Sequence, residues 1–318
     1  MFKAVPNDNW SRKEGTYLNY SRRGFLKTGS AALAYCAAFS QGSDLYAETL
    51  KLPLGLQLYS VRDQLAKDFD GTLAQVGSLG YRDVEAAGFF GRSASEVKRA
   101  MEKANLRCVS AHYPFSQLNG KLDGVLAYLN ELGANYVICS SPGFKTPGAA
   151  SASGQRRTLS LDDWRWNAEQ FNRMGEKAAR AGIRFGYHNH VASFAVTDGV
   201  LPYNEILRLT DPAKVTLELD CGWAVVAGAN PVELFRDHPD RFSMLHVKDF
   251  KLHRGADGKP HDAKVTELGL GDIDYRPIFA QAAKSQKIKH IFVEQEEFDM
   301  PYMQSLKIDA DYIRRLEK

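Results

Sequence analysis

The sequence predicts an α/β fold, a (β/α)8 TIM barrel, on three observations. Short β-rich runs alternate with helical-period segments eight times from Leu54 onward. The alternation fills roughly 265 residues, the usual size of one such barrel. Imidazoles and carboxylates gather where the β-rich runs end, which is the face on which barrels carry their chemistry.

Leu54 to Tyr59 (LGLQLY) reads as the first strand, followed by Phe69, Leu73, Val76 and Leu79 at helical spacing and a terminating Gly80. Tyr81 to Ala86 is the second strand and Ser95 to Ala104 its helix. Arg107 to Ala111 is the third strand, and Leu122, Val125, Leu126, Leu129 and Leu132 then line one helix face before Gly133. Tyr136 to Cys139 is the fourth strand. A Ser/Gly/Ala-rich loop, Ser141 to Ser160, leads to a long helix through Trp164, Phe171 and Met174 to Ala181, and to the fifth strand, Ile183 to His188. Tyr203 to Leu209 is helical, Val215 to Asp220 is the sixth strand, and Pro231 opens a short helix as a residue favoured in the first turn. Phe242 to Val247 is the seventh strand. A second long loop, Asp249 to Asp274, precedes a helix from Pro277 to Lys284; His290 to Glu294 is the eighth strand and Ser305 to Leu316 the closing helix. A doubly wound sheet would place a Gly-rich phosphate turn after its first strand, and Tyr59-Ser60-Val61-Arg62 is not one.

Residues 1–50 read as a signal peptide and short linker, ahead of one barrel domain at 51–318. Ser21-Arg22-Arg23-Gly24-Phe25-Leu26-Lys27 resembles the twin-arginine export motif at every defined position, and a short apolar core, Thr28 to Phe39, and a small-residue stretch, Ser40 to Ser43, follow it. Cleavage after Ser40 or after Ala47 fits equally. Tyr35 is too bulky to precede a lipidated Cys36. The expected location is therefore exported, periplasmic or otherwise extracytoplasmic. No apolar run reaches the ~20 residues of a membrane span. Beyond residue 50 there are 35 basic and 34 acidic side chains, and so neutral a chain argues against nucleic acid as a partner. Cys108, Cys139 and Cys221 are odd in number and lack CxxC spacing, so buried free thiols are expected.

The predicted strand ends carry Glu85, His112, His188-Asn189-His190, Glu218-Leu219-Asp220, His246-Val247-Lys248-Asp249 and Glu294-Gln295-Glu296-Glu297. Imidazoles and carboxylates converging from several strands make a mixed N/O site for one divalent metal ion: Mn, Co, Zn, Mg or Fe. Glu218 and Asp220 share a strand face, so one of them suits a supporting role. His112 and His190 read equally well as hydrogen-bonded core histidines, and Asp249, Glu296 and Glu297 as loop or solvent charges.

Five stretches resemble the xylose isomerase-like barrels known as sugar phosphate isomerases/epimerases: GIRFGYHNH (Gly182 to His190), TLELDCGW (Thr216 to Trp223), HPDRFSMLHVKD (His238 to Asp249), ELGLGDID (Glu267 to Asp274) and IFVEQE (Ile291 to Glu296). The resemblance implies one divalent metal held from the fifth to eighth strands, with Asp220, His246 and Glu294 as three ligands and His188 at the fourth position. His188 stands where sugar epimerases of the family have a glutamate that binds metal and moves protons, and Trp223 stands in place of a histidine. A mechanism with one glutamate on each face of the sugar therefore loses one of its pair.

The expected chemistry is an enediolate formed on a keto-sugar or cyclitol, with Glu294 as first candidate base and His188 or His112 as second. Reprotonation makes an isomerase or epimerase; expulsion of a β-substituent makes a lyase or dehydratase acting on a keto-sugar or 3-keto-glycoside. Trp223, Lys248, Glu85 and His190 are the candidate substrate contacts. Phosphorylated sugars are scarce outside the cytoplasm, so a non-phosphorylated carbohydrate is expected. The two long loops are expected to cover it, with Glu267, Gly269, Gly271 and Asp272 ordering around ligand. The expected partners are this substrate and the export machinery, with a homo-oligomer left open. A sugar-binding barrel without catalysis is the second class of function, and an endonuclease, which needs a basic surface and a multi-zinc set, is the third.

Overall fold

The computed structural model describes residues 50–146, 157–255, 258 and 260–316. The twin-arginine stretch and the centre of the first long loop, residues 147–156, lie outside the described residues.

Eight parallel strands close into a barrel. Strand β1 (Leu54–Gln57) ends two residues early because the Gln57 side chain accepts from Tyr59 N–H and turns the chain into a 3-10 segment, Leu58–Val61. Helix α1 (Arg62–Lys67) follows, and Asp68, accepting from Gly71 N–H, caps α2 (Phe69–Ser78). Strand β2 (Asp83–Ala86) leads to α3 (Ala94–Lys103), which starts in a Ser93/Glu96 capping box. Strand β3 (Arg107–Pro114) runs three residues beyond the expected end, so His112 stands on the sheet. Helices α4 (Phe115–Leu118) and α5 (Leu122–Leu132) follow, α5 closing on Gly133, whose φ of 90° suits glycine. Strand β4 (Tyr136–Ser141), the long α6 (Leu161–Arg180), β5 (Arg184–His188), a 3-10 turn (Val191–Phe194) and α7 (Pro202–Leu209) complete the next unit.

Strand β6 (Val215–Asp220) passes into α8 (Cys221–Val226), capped by the Asp220 carboxylate, and α9 (Pro231–Asp237) precedes β7 (Phe242–Val247). The expected loop from Asp249 to Asp274 is instead largely an antiparallel hairpin, β8 (Asp249–Arg254) against β9 (Pro260–Thr266). Helix α10 (Tyr275–Ser285), the eighth barrel strand β10 (His290–Val293) and α11 (Tyr302–Leu316) finish the chain. The barrel order is β1-β10-β7-β6-β5-β4-β3-β2 with β1 pairing β2, all parallel.

The main core lies between the strands and the helix ring, where α2, α3, α5, α6 and α11 bury their apolar stripes. A separate small cluster contains Ile138, Met244 and Phe292. Met244 precedes His246 by two residues and Phe292 precedes Glu294 by two, so period-two alternation stacks a polar layer on an apolar one inside the barrel. Cys108, Cys139 and Cys221 are buried free thiols, with burial pushing Cys108 and Cys139 up to about 12.

Candidate active site

The strand geometry brings His188 of β5, Asp220 of β6, His246 of β7 and Glu294, one residue past β10, to one buried point. Asp220 accepts from Trp223 N–H through Oδ1 at 2.7 Å, while its buried Oδ2 is met by the Lys248 ammonium at 3.1 Å. His188 Nε2 lies 3.8 Å and His246 Nδ1 4.0 Å from that oxygen, and His246 Nδ1 is 3.1 Å from Glu294 Oε2. Asp220, His246 and Glu294 offer donor atoms close enough together to hold a divalent metal ion, and His188 stands beside Asp220; His188 also belongs to a second such group with His112, Glu218 and His246. Asn189 clasps the Asp220 backbone, donating to its carbonyl at 3.1 Å and accepting from its N–H at 3.0 Å.

Lys248, fully buried, places its ammonium 3.1 Å from Asp220 Oδ2, 2.5 Å from Glu294 Oε2 and 2.6 Å from Glu296 Oε1. Burial disfavours its charge, but the carboxylates of Asp220, Glu294 and Glu296 prevail and hold it well above the ordinary lysine range. The same contact acts in reverse on Glu294: burial raises it, and Lys248 and His246 more than offset this, keeping the carboxyl well below its usual range. Asp220 behaves differently, since burial outweighs Lys248 and His246 and pushes it up to about 6. Glycine at 222 is a packing requirement, because a Cβ there would lie 2.4 Å from Lys248 Cγ and 2.9 Å from its carbonyl oxygen.

Glu85 and His112 sit against the other side of His246. Glu85 accepts from Gln57 Nε2 at 2.7 Å and from Ser110 Oγ at 2.5 Å, and its Oε2 is 2.7 Å from His246 Nε2. His112 stacks on His246 with ring centroids 5.2 Å apart and planes 4° from parallel. Its Nε2 lies 2.7 Å from Glu218 Oε2 and 2.9 Å from Glu85 Oε2. Burial lowers His112, but Glu85 and Glu218 reverse that and raise it to about 9. Of the three clustered imidazoles His112 alone keeps appreciable side-chain exposure, 10%. His190 meets His188 edge to face at 4.8 Å but is itself exposed at the rim.

Two residues expected as loop or solvent charges belong elsewhere. Glu296 accepts from Lys248 and, at 3.2 Å, from Trp223 Nε1, so the indole is fixed by its N–H as well as by the ammonium 5.0 Å from its ring. Asp249 is fully buried and accepts from the N–H groups of Phe250, Gly269, Gly271 and Ile273. The segment expected to order around ligand thus has Gly269 and Gly271 bound to Asp249, while Asp272 accepts from Leu252 N–H. Glu218, expected to stand near the site, is fully buried with His188, His112 and His246 around one oxygen. Gln57 and Ser110 escaped sequence reasoning because neither is titratable. Glu296 could have been found from its two-residue offset from Glu294.

Among the described residues the exposed large apolar side chains are Tyr59, Phe90, Val196 and Leu270, and each lies in a segment that follows a barrel strand. The apolar exposure is therefore on the same face as the polar cluster.

The family model for xylose isomerase-like TIM barrels matches residues 73–316. Inosose dehydratase from Lacticaseibacillus casei is 23% identical over 247 residues, covering 72% of this chain and 82% of that protein. Inosose dehydratase from Geobacillus thermodenitrificans is 25% identical over 273 residues, covering 77% and 89%. A solved sugar phosphate isomerase/epimerase from Parabacteroides distasonis matches with a TM-score of 0.67 and 27% identity, covering 84% of this chain and 100% of that one.

Proposed function

The chain belongs to the xylose isomerase-like TIM barrel family, and from that membership we propose that it is a metal-dependent carbon–oxygen lyase. Its substrate in this reading is a non-phosphorylated keto-sugar or keto-cyclitol, from which it removes water or another β-substituent. An enzyme acting on a sugar-like small molecule follows from the family and from dehydratase relatives matched over most of their length. Those relatives favour elimination over isomerisation or epimerisation. One feature carries the choice: by the resemblance His188, on β5, stands where a second proton-moving carboxylate would be, and the nearby Glu85 and Glu218 have no accessible surface. One accessible-side base then faces the substrate rather than a pair.

Asp220, His246 and Glu294 would hold the ion, with His188 beside Asp220 as the fourth donor, a set of two N and two O donors that suits a transition metal or Mg. When bound, such an ion polarises a carbonyl and acidifies the adjacent C–H. Glu294, kept ionised by Lys248, takes the proton from the α-carbon. The electron pair moves toward the carbonyl and then expels the β-oxygen, which leaves as water on receiving the proton of His112. Lys248 stays charged and stabilises the negative charge between these steps. Trp223 offers an aromatic face to the ring, and His190 lies at the rim where it can reach a substrate hydroxyl. Outside the described residues, the twin-arginine stretch supports export, where free rather than phosphorylated sugars are met.

A keto-cyclitol incubated with the metal-loaded protein in D2O tests this. An unsaturated or deoxygenated product with loss of one water is expected, and E294Q should slow it by about 10²–10⁴-fold. Deuterium at the α-carbon with every substituent retained would replace the lyase with an isomerase. Metal-loaded protein that binds sugars without turnover would make it a binding barrel.

A further inference from the structure

Resting on the metal-site reading above, we propose that Glu85 and Glu218 are positioning residues that select which ring nitrogen of His246 and of His188 faces the metal. The ion is then held through Nδ1 of His246 and Nε2 of His188. A neutral imidazole has one N–H and one lone pair, so the nitrogen that donates a hydrogen bond is not the one that ligates. Glu85 already accepts from Gln57 and Ser110, so it meets His246 Nε2 at 2.7 Å as an acceptor too. That puts the N–H of His246 on Nε2 and the lone pair on Nδ1, 3.1 Å from Glu294 Oε2. His188 is arranged in the opposite sense: Nδ1 lies 3.0 Å from Glu218 Oε2, leaving Nε2 toward Asp220. Both free nitrogens then face the same buried oxygen, Asp220 Oδ2, which the Lys248 ammonium also meets at 3.1 Å.

Strands β5, β6 and β7 and the end of β10 carry the donors; the residues that back them come from β1 (Gln57), β2 (Glu85), β3 (Ser110 and His112) and from β6 itself, where Glu218 precedes Asp220 by two residues. His112 Nε2 ties the two backing carboxylates together, 2.9 Å from Glu85 and 2.7 Å from Glu218. A carboxylate behind a metal-bound imidazole fixes the ring and raises its basicity, and losing one weakens metal binding by about 10–100-fold.

The test is a Zn2+ titration of the metal-stripped, 15N-histidine-labelled chain, read by long-range 1H–15N NMR. One equivalent should shift two rings, one ligated at Nδ1 with its proton on Nε2 and the other ligated at Nε2 with its proton on Nδ1. Chelator competition should show E85Q and E218Q each binding Zn2+ about 10–100-fold more weakly, with the melting temperature of the metal-free protein little changed. Both rings ligating through Nε2, or affinities within threefold of the parent, would overturn the proposal while leaving the metal site standing. Two tight equivalents would also overturn it, because His112, His188, Glu218 and His246 lie close enough together to bind an ion directly. No zinc bound at all would remove the metal site and the proposal together. The ring assignment is read on the unmodified protein, so it holds even if a variant fails to fold.

Discussion

His112 illustrates how one side chain changes role with its surroundings. As an isolated imidazole it would titrate near 6.5 and serve as a base, which is how it reads in the sequence. Between Glu85 and Glu218 it is raised to about 9, so at neutral pH it carries a proton, the one that the departing hydroxyl of the proposed elimination would take. The turnover rate should therefore fall as pH rises through about 9, by tenfold per unit once His112 is mostly neutral. In H112Q the rate should be about 10²–10⁴-fold lower and this limb absent. A parent enzyme whose rate is flat from pH 7 to 10 would remove His112 from proton donation. His112, His188 and His246 were visible as strand-end histidines because period-two alternation aims every other side chain inward. The tautomers were not visible, since they depend on carboxylates that arrive from strands up to 161 residues away.

At the scale of elements, the β8–β9 hairpin and the turn after it are held by two buried carboxylates, Asp249 at the start of β8 and Asp309 on α11. Asp309 Oδ1 accepts from Leu268 N–H at 2.7 Å, while its Oδ2 is buried without a partner. Burial raises Asp309 to about 7 despite the Leu268 bond, and Glu267 and Asp249 add to the rise. The folded state thus holds this proton more tightly than the unfolded chain, whose value stays near 3.8. Stability is lost as pH climbs from about 4 through about 7, with the loss levelling above. D309N keeps an acceptor for Leu268 and removes the charge. Its free energy of unfolding should exceed the parent's by a margin that grows from pH 5 to pH 8, to at most about 4 kcal/mol at about 1.4 kcal/mol per pKa unit, read as a growing difference in Tm. A margin that shrinks over that range would show that Asp309 is not the group responsible. The hairpin read as a loop because its strands are polar, with burial falling off from Phe250 to Arg254. The four- and six-residue helices α1, α4 and α8 were missed for a different reason: so few residues establish no helical period.

At the scale of the whole molecule, a closed barrel would hold the four proposed donors in place before any ligand arrives, so binding energy should appear as added stability. A divalent ion at 100 times its Kd should stabilise the protein by about 2.7 kcal/mol. For a chain of this size that raises Tm by about 5–10 °C. Chelator should reverse the rise and H246A should abolish it; an equal rise in H246A would place the ion elsewhere. Alternation of strand and helix patterns along the chain was enough to predict the barrel, because parallel strands need crossovers and hydrophobic periodicity is a local property. The strand-end residues were legible by the same logic, since a barrel offers them only one face. Closure of the sheet decided the rest: it set Glu85 against His246, buried Lys248 among three carboxylates, and drew Glu296 into the site. These relations join residues far apart in sequence through burial and hydrogen bonding, which leave no period along the chain.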